Sequence, residues 1–171
     1  MMSSVATTTR SFVRLVAGTK ARVFDTRKTL PGLRLAQKYA VRIGGGSNHR
    51  LGLFDGILIK ENHIQACGGI AAALDAAKHL NSGVPIQIEV ETLDELTTAL
   101  SAGAQSILLD NFELSQMHDA AAMTAGRAEL EVSGGVSETT IRAIAETGVD
   151  RISVGSMTKT VHAIDFSLRF V

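Results

Sequence analysis

Short apolar runs recur along this chain, and each stops at a charged residue or a glycine turn. Ala21-Arg22-Val23-Phe24 leads into Asp25-Thr26-Arg27-Lys28, Gly56-Ile57-Leu58-Ile59 into Lys60-Glu61-Asn62-His63, and Ile86-Gln87-Ile88 into Glu89-Val90-Glu91. Ser106-Ile107-Leu108-Leu109 leads into Asp110-Asn111, Leu130-Glu131-Val132 into Ser133-Gly134-Gly135, and Arg151-Ile152-Ser153-Val154 into Gly155-Ser156. Segments of helical period fill the intervals at 11–17, 31–41, 71–80, 92–102, 114–124 and 137–147. Pro31 is placed to open its helix, Thr92 to cap one, and Gly103 and Gly148 to end theirs.

Strand and helix alternating at roughly 20 to 25 residues read as successive βα units, with right-handed crossovers and parallel strands. Parallel strands put whatever follows them on one face, where barrels and open α/β sheets build their sites. Six strands are expected, with a seventh around 164–168. An eight-unit barrel takes about 250 residues and rarely fewer than 200. At 171 residues, the expectation is an α/β fold of the truncated, incomplete TIM-like barrel kind, with an open doubly wound sheet as the alternative.

The chain is 45% hydrophobic, enough for one domain with a core. Lys plus Arg and Asp plus Glu are equal at 17 each. No whole-chain basic field therefore calls for nucleic acid or an anionic membrane, and any anion site is local. No stretch reaches the roughly 18 apolar residues of a spanning helix, and the start lacks a basic segment followed by an apolar one. A single cysteine, Cys67, rules out an internal disulfide and suits a reducing compartment, so a cytoplasmic location is expected. Cys67 itself reads as a small, partly buried residue, because no base is patterned beside it.

The strand ends carry the chemistry. Asp25-Thr26-Arg27-Lys28-Thr29 sets two cations and two hydroxyls between a strand and a helix; alone it would pass for a solvated loop. Asn48-His49-Arg50 follows three glycines that let backbone approach a ligand closely, unless they form only a turn. Lys60 stands at the rim of a buried strand, either as a cation for an anionic substrate or as a Schiff-base nucleophile. Neighbouring carboxylates favour the electrostatic role. His63 reads as structural.

Glu89 and Asp110 end consecutive strands and can face one mouth, as pairs that hold a divalent cation or stabilise developing positive charge do. The plainer alternative is that they neutralise Lys60 and Arg27. No cysteine or histidine spacing suggests zinc. Ser133-Gly134-Gly135 and Gly155-Ser156 each precede a helical segment, where backbone N–H groups can hold an anion, and barrels often bind phosphate after their last two strands.

These segments together resemble the quinolinate phosphoribosyltransferase family (nicotinate-nucleotide pyrophosphorylase, carboxylating). The likeness is carried by Asp25-Thr26-Arg27-Lys28-Thr29-Leu30-Pro31-Gly32-Leu33-Arg34, Gly44-Gly45-Gly46-Ser47-Asn48-His49-Arg50, Leu58-Ile59-Lys60-Glu61-Asn62-His63, Leu109-Asp110-Asn111-Phe112 and Glu131-Val132-Ser133-Gly134-Gly135. It runs over nearly the whole chain and corresponds to the family's C-terminal barrel domain.

The resemblance implies transfer of phosphoribose from phosphoribosyl pyrophosphate to quinolinate with decarboxylation. The products would be nicotinate mononucleotide, CO2 and pyrophosphate for NAD biosynthesis, with Mg²⁺. It implies that Thr26, Arg27, Lys28, His49, Arg50 and Lys60 bind quinolinate, and that Glu89, Asp110, Ser133, Gly134, Gly155 and Ser156 bind phosphoribosyl pyrophosphate. Lys60, Glu89 and Asp110 would be catalytic, with Glu89 and Asp110 at the metal, directly or indirectly. Residues 1–20 would then be a leading helix and 21–171 the barrel domain. The family's N-terminal open-sandwich domain, which supplies a basic residue to the partner's site in a homodimer, has no counterpart in these segments. Two other expectations are a catalytically silent phosphate-binding or assembly fragment, and a molybdenum-transport-associated relative with a different acceptor.

Overall fold

A computed structural model describes residues 1–170. Six strands, β1 (Arg22–Phe24), β2 (Ile57–Ile59), β3 (Ile86–Val90), β4 (Ser106–Asp110), β5 (Glu129–Ser133) and β6 (Arg151–Ser153), form one sheet. All pairings are parallel, in the order β1-β6-β5-β4-β3-β2. From β2 to β6 each neighbour is next in sequence, and β1 then lies beside β6. The sheet therefore winds one way without reversing, as in a partial TIM-like barrel, and the doubly wound alternative, which needs a reversal of strand order, is excluded. Its seam falls between β1 and β2. Residues 44–56 reach across that region: Ser47 forms a parallel bridge with Phe24, and Arg50 Nη1 donates to the Gly56 carbonyl at 2.8 Å.

Strand alternation sorts the side chains into two layers. Val23, Ile59, Ile88, Val90, Ile107, Leu109, Leu130, Val132 and Ile152 are all at most 4% exposed and form the core between sheet and helices. Each is worth about 1.5–3 kcal/mol relative to exposure. Residues of the opposite parity line the interior. These are Arg22 and Phe24, Leu58, Gln87 and Glu89, Ser106, Leu108 and Asp110, Glu129, Glu131 and Ser133, and Arg151 and Ser153. The branched aliphatic layers that usually fill such a barrel are replaced here by a polar interior, which makes it a site rather than a plug.

The helices are α1 (Met2–Leu15), α2 (Arg34–Ile43), α3 (Glu61–Cys67), α4 (Ile70–His79), α5 (Leu93–Ser101), α6 (Leu114–Thr124), α7 (Ile141–Glu146) and α8 (Ser156–Lys159). Thr92 caps α5, its hydroxyl accepting from Glu95 N–H at 3.2 Å. His63 proves structural: its Nδ1 accepts the Lys60 N–H at 2.9 Å and closes the first turn of α3.

Several expectations are corrected. Helix α1 starts at Met2, well before residue 11, because its buried stripe Val5-Thr9-Phe12 passes through a threonine that hydropathy does not register. Pro31 precedes α2 in a turn, where Gly32 takes a φ of 74°. The segment 164–168 is exposed and forms no strand, pairing with no sheet edge among the described residues. Cys67 is exposed at the end of α3.

Candidate active site

The C-terminal strand ends open into a cleft of about 420 Å³. One wall is cationic. Thr26, Arg27 and Lys28 come from the turn after β1, His49 and Arg50 from the segment after α2, and Lys60 from the end of β2. The opposite wall is formed by Glu89, Asp110 and Ser133 at the ends of β3, β4 and β5, with Leu58 and Leu108 as apolar surface between. Gly134, Gly155 and Ser156 do not line the cleft. Gly155 sits at its edge, where a Cβ would meet Lys28 and Thr26 at 3.7 Å, and Ser156 opens the single turn of α8.

Buried Asp25 holds the cationic wall in place. Its Oδ1 accepts from Lys38 Nζ at 2.5 Å and from the His49 N–H at 2.8 Å, and its Oδ2 from Asn48 Nδ2 at 2.6 Å. Lys38 Nζ also donates to the His49 carbonyl at 2.8 Å. A single ion pair thus fastens β1, α2 and the His49–Arg50 loop together. Burial pushes the Asp25 carboxyl upward, against the pull of Lys38 and the hydrogen bonds from His49 and Asn48.

Across the mouth, Lys60 Nζ donates to both oxygens of Glu89, at 2.8 and 2.6 Å. Arg50 is shifted below the ordinary guanidinium range, first by burial and then by the positive charge of Arg27. The Arg27 Nε is buried with no hydrogen-bond partner among the described residues. Close cations, one with a buried donor still unmet, leave this wall short of negative charge. An anion with two acceptor groups answers that shortage.

The floor was not foreseen from the sequence. Glu131, 1% exposed, accepts from Ser153 Oγ at 2.5 Å and from Gln87 Nε2 at 2.9 Å, and lies 3.5 Å from His49 Nε2. Burial pushes Glu131 up, but the hydrogen bond and charge of His49, with Ser153 and Gln87, outweigh it and hold the carboxyl below its usual range. Burial lowers His49, yet Glu131 more than offsets it and raises the imidazole above its usual value. The signal that could have found this floor is parity: Glu131 shares the face of Ser133, and Gln87 that of Glu89.

Among the described residues no three His, Cys, Asp or Glu side chains gather as a metal cage. Mg²⁺ usually takes only one or two carboxylates and completes its shell with water and substrate phosphate. Asp110 at the mouth suits that arrangement, its Oδ2 accepting only Asn111 Nδ2, at 3.0 Å, among the described residues. Both Glu89 oxygens are engaged by Lys60.

Gly134 is held by geometry. Its φ is 94°, and a Cβ there would run into Asn111 Oδ1 and lie 3.3 Å from the Asn111 backbone nitrogen. Gly134→Ala is expected to cost about 1–3 kcal/mol, read as a lowered urea midpoint by far-UV circular dichroism. An unchanged midpoint would show that the turn relaxes freely.

The sequence profile described as "Quinolinate phosphoribosyl transferase, C-terminal domain" matches residues 5–169. The chain is 47% identical over 170 residues to the nicotinate-nucleotide pyrophosphorylase [carboxylating] of Mycobacterium leprae, covering 98% of this chain and 60% of that one. It is 44% identical over 171 residues to the probable enzyme of the same name from Bacillus subtilis, covering 98% and 58%. The solved nicotinate-nucleotide pyrophosphorylase from Francisella tularensis superposes with a TM-score of 0.94 at 53% identity, over 96% of this chain and 59% of its own. That from Ehrlichia chaffeensis gives 0.91 at 42%, over 95% and 59%. The chain thus spans about three-fifths of the length of these relatives.

Proposed function

We infer the activity from one premise: the chain belongs to the quinolinate phosphoribosyl transferase family, whose C-terminal domain it matches from residue 5 to residue 169. The proposed reaction joins quinolinate to phosphoribosyl pyrophosphate, giving nicotinate mononucleotide, CO2 and pyrophosphate. The observation that carries it is the division of the cleft into a cationic wall, Arg27, Lys28, Arg50 and Lys60, facing a wall that holds Glu89 and Asp110.

Quinolinate carries two adjacent carboxylates, which suits the shortage of negative charge on the first wall, with Thr26 adding a hydroxyl and His49 closing the floor. An ion pair at 4 Å is worth about 1 kcal/mol in water and about 4 kcal/mol at an effective dielectric of 20, so these cations gain from any closure that expels water. The pyridine nitrogen attacks C1′ of the ribose, the C1′–O bond to pyrophosphate breaks, and its electron pair leaves with pyrophosphate. Glu89 and Asp110 lie where positive charge develops on the sugar and where its hydroxyls need acceptors. Ser133, Gly134, Gly155 and Ser156 are assigned to the 5-phosphate. When bound, Mg²⁺ would neutralise the leaving pyrophosphate, with Asp110 and, directly or through water, Glu89 as its protein contacts. The pyridinium then draws electrons from the ring, the carboxylate beside the nitrogen leaves as CO2, and the ring carbon takes a proton. Lys60 and the arginines position and balance charge throughout, and no covalent enzyme intermediate is needed. A homodimer or higher homo-oligomer of the full-length protein belongs to the same proposal.

The test measures pyrophosphate and CO2 release with quinolinate, phosphoribosyl pyrophosphate and Mg²⁺, with and without the N-terminal domain of a relative supplied in trans. Equal amounts of both products, dependent on quinolinate, are expected. Binding of phosphoribosyl pyrophosphate without turnover in either arm would favour the silent fragment. Binding of neither substrate would end the assignment.

A further inference from the structure

The floor of the cleft contains a hydrogen-bond chain that substrate contact does not explain. His49 Nδ1 accepts the N–H of Arg50 at 2.8 Å, and Nε2 lies 3.0 Å from Gln87 Oε1 and 3.5 Å from Glu131 Oε2. Both ring nitrogens are therefore occupied by the protein. An accepting Nδ1 requires the proton of the neutral ring to sit on Nε2, where it faces two oxygens and no donor. Gln87 is oriented to match: its carbonyl faces His49, and its amide donates to the same Glu131 oxygen at 2.9 Å. Ser153 Oγ donates to the other oxygen at 2.5 Å. Glu131, 1% exposed, is the one charged acceptor in this chain, and the order of donors runs from it.

We propose that Glu131 is a positioning residue for the acceptor pocket: acting through Gln87 and His49, it fixes the Nε2–H tautomer, so that Nδ1 takes the Arg50 N–H and holds Arg50 in the cationic wall. This rests on the reading of that wall as the quinolinate site. Exchanging the carboxylate for an amide introduces a donor at the end of the chain. If that donor turns toward His49 or reverses Gln87, the imidazole proton moves to Nδ1 and meets the Arg50 N–H as a second donor. The bond that seats Arg50 is then lost. Arg50 Nη1, tied to the Gly56 carbonyl at 2.8 Å, becomes its remaining anchor.

The experiment uses the full chain. Long-range ¹H–¹⁵N spectra of the imidazoles, with His49 assigned by substitution, report the tautomer without substrate; calorimetry reports affinity for quinolinate and for phosphoribosyl pyrophosphate. In the wild type, at a pH above the raised His49 value where the ring is neutral, Nδ1 is expected to be unprotonated. Glu131→Gln is expected to show mixed tautomers and to bind quinolinate about tenfold more weakly, the worth of one lost hydrogen bond, with phosphoribosyl pyrophosphate affinity within about twofold. Ser153→Ala breaks the same chain beyond the carboxylate and is expected to keep the wild-type tautomer. A wild type whose neutral His49 ring carries its proton on Nδ1 overturns the proposal whether or not the variants fold. So does a folded Glu131→Gln with unchanged imidazole shifts, or one that loses affinity for both substrates equally. A wild-type chain that does not bind quinolinate counts against the acceptor assignment, and the imidazole spectra then decide the positioning role by themselves.

Discussion

Lys60→Ala is expected to lower kcat/KM for quinolinate by about 10²–10³-fold, with phosphoribosyl pyrophosphate affinity much less affected. Lys60 does two jobs from one position. Its ammonium completes the cationic wall, and it donates to both oxygens of Glu89 at 2.8 and 2.6 Å. Glu89 is 8% exposed, whereas the Lys60 side chain is 45% exposed, so the lysine can follow a substrate while the carboxylate cannot follow the lysine. Alanine removes the charge-assisted contact proposed for the acceptor and leaves a largely buried carboxylate without its partner. Lys60→Arg keeps the charge but replaces a compact ammonium by a planar fork, and should recover only part of the rate. Initial rates of pyrophosphate release decide it, with circular dichroism to confirm folding. A folded Lys60→Ala within about threefold of wild type would remove Lys60 from the site. A borohydride-trapped adduct on Lys60 would replace the electrostatic role with a covalent one.

How far the sequence exposed this site depends on where each residue lies on its strand. Lys60, Glu89 and Asp110 were legible because each charge falls at the end of an apolar run and on the interior-facing parity, whereas Asp25, which also ends a run, has the opposite parity and is buried against Lys38. Glu131 and Gln87 sit inside their runs, where a single polar residue looks like noise in a buried strand; only the two-residue period shows that they face the same interior. Helix α2 was located by its period, but its inner face was legible only in part, at Ala40 and Val41. It buries Gln37 and Lys38 at 0% and 2% exposure, while Leu35, Tyr39 and Ile43 stand out at 74%, 62% and 64%. Its inner face is chosen by hydrogen-bonding partners: Gln37 bridges the Leu30 N–H and the Thr158 carbonyl at 2.8 Å each, and Lys38 reaches Asp25. A count of apolar positions misses the Gln37–Lys38 half of that face, because tertiary partners override the helical pattern there. The failed strand at 164–168 is the converse: its alternation was real, but no free edge among the described residues pairs with it.

Lys38→Met should destabilise the fold by about 3–5 kcal/mol, the usual result of removing one member of a buried ion pair. The pair is 2% and 0% exposed. Methionine fills similar space, so the loss is mainly that of an orphaned Asp25 carboxylate and not of a cavity. The variant also loses the Lys38 bond to the His49 carbonyl, which makes the His49–Arg50 loop the first part of the site to loosen. The pH dependence has a definite sign. Burial already raises the folded Asp25 carboxyl above its ordinary value, and loss of Lys38 removes the main opposing influence and raises it further. A carboxyl raised in the folded state favours folding when protonated, a contribution present at low pH and lost as pH rises through the folded value. The gap between wild type and variant should therefore be largest near pH 7 and shrink toward about pH 5. Adding Asp25→Asn removes the orphaned charge and should return part of the stability at neutral pH. Urea titrations followed by circular dichroism at both pH values measure all three chains. A gap under about 1 kcal/mol, or one that widens on acidification, would mean that Asp25 draws its stabilisation from Asn48 and the His49 N–H, and that the ion pair is not what holds the acceptor wall to the barrel.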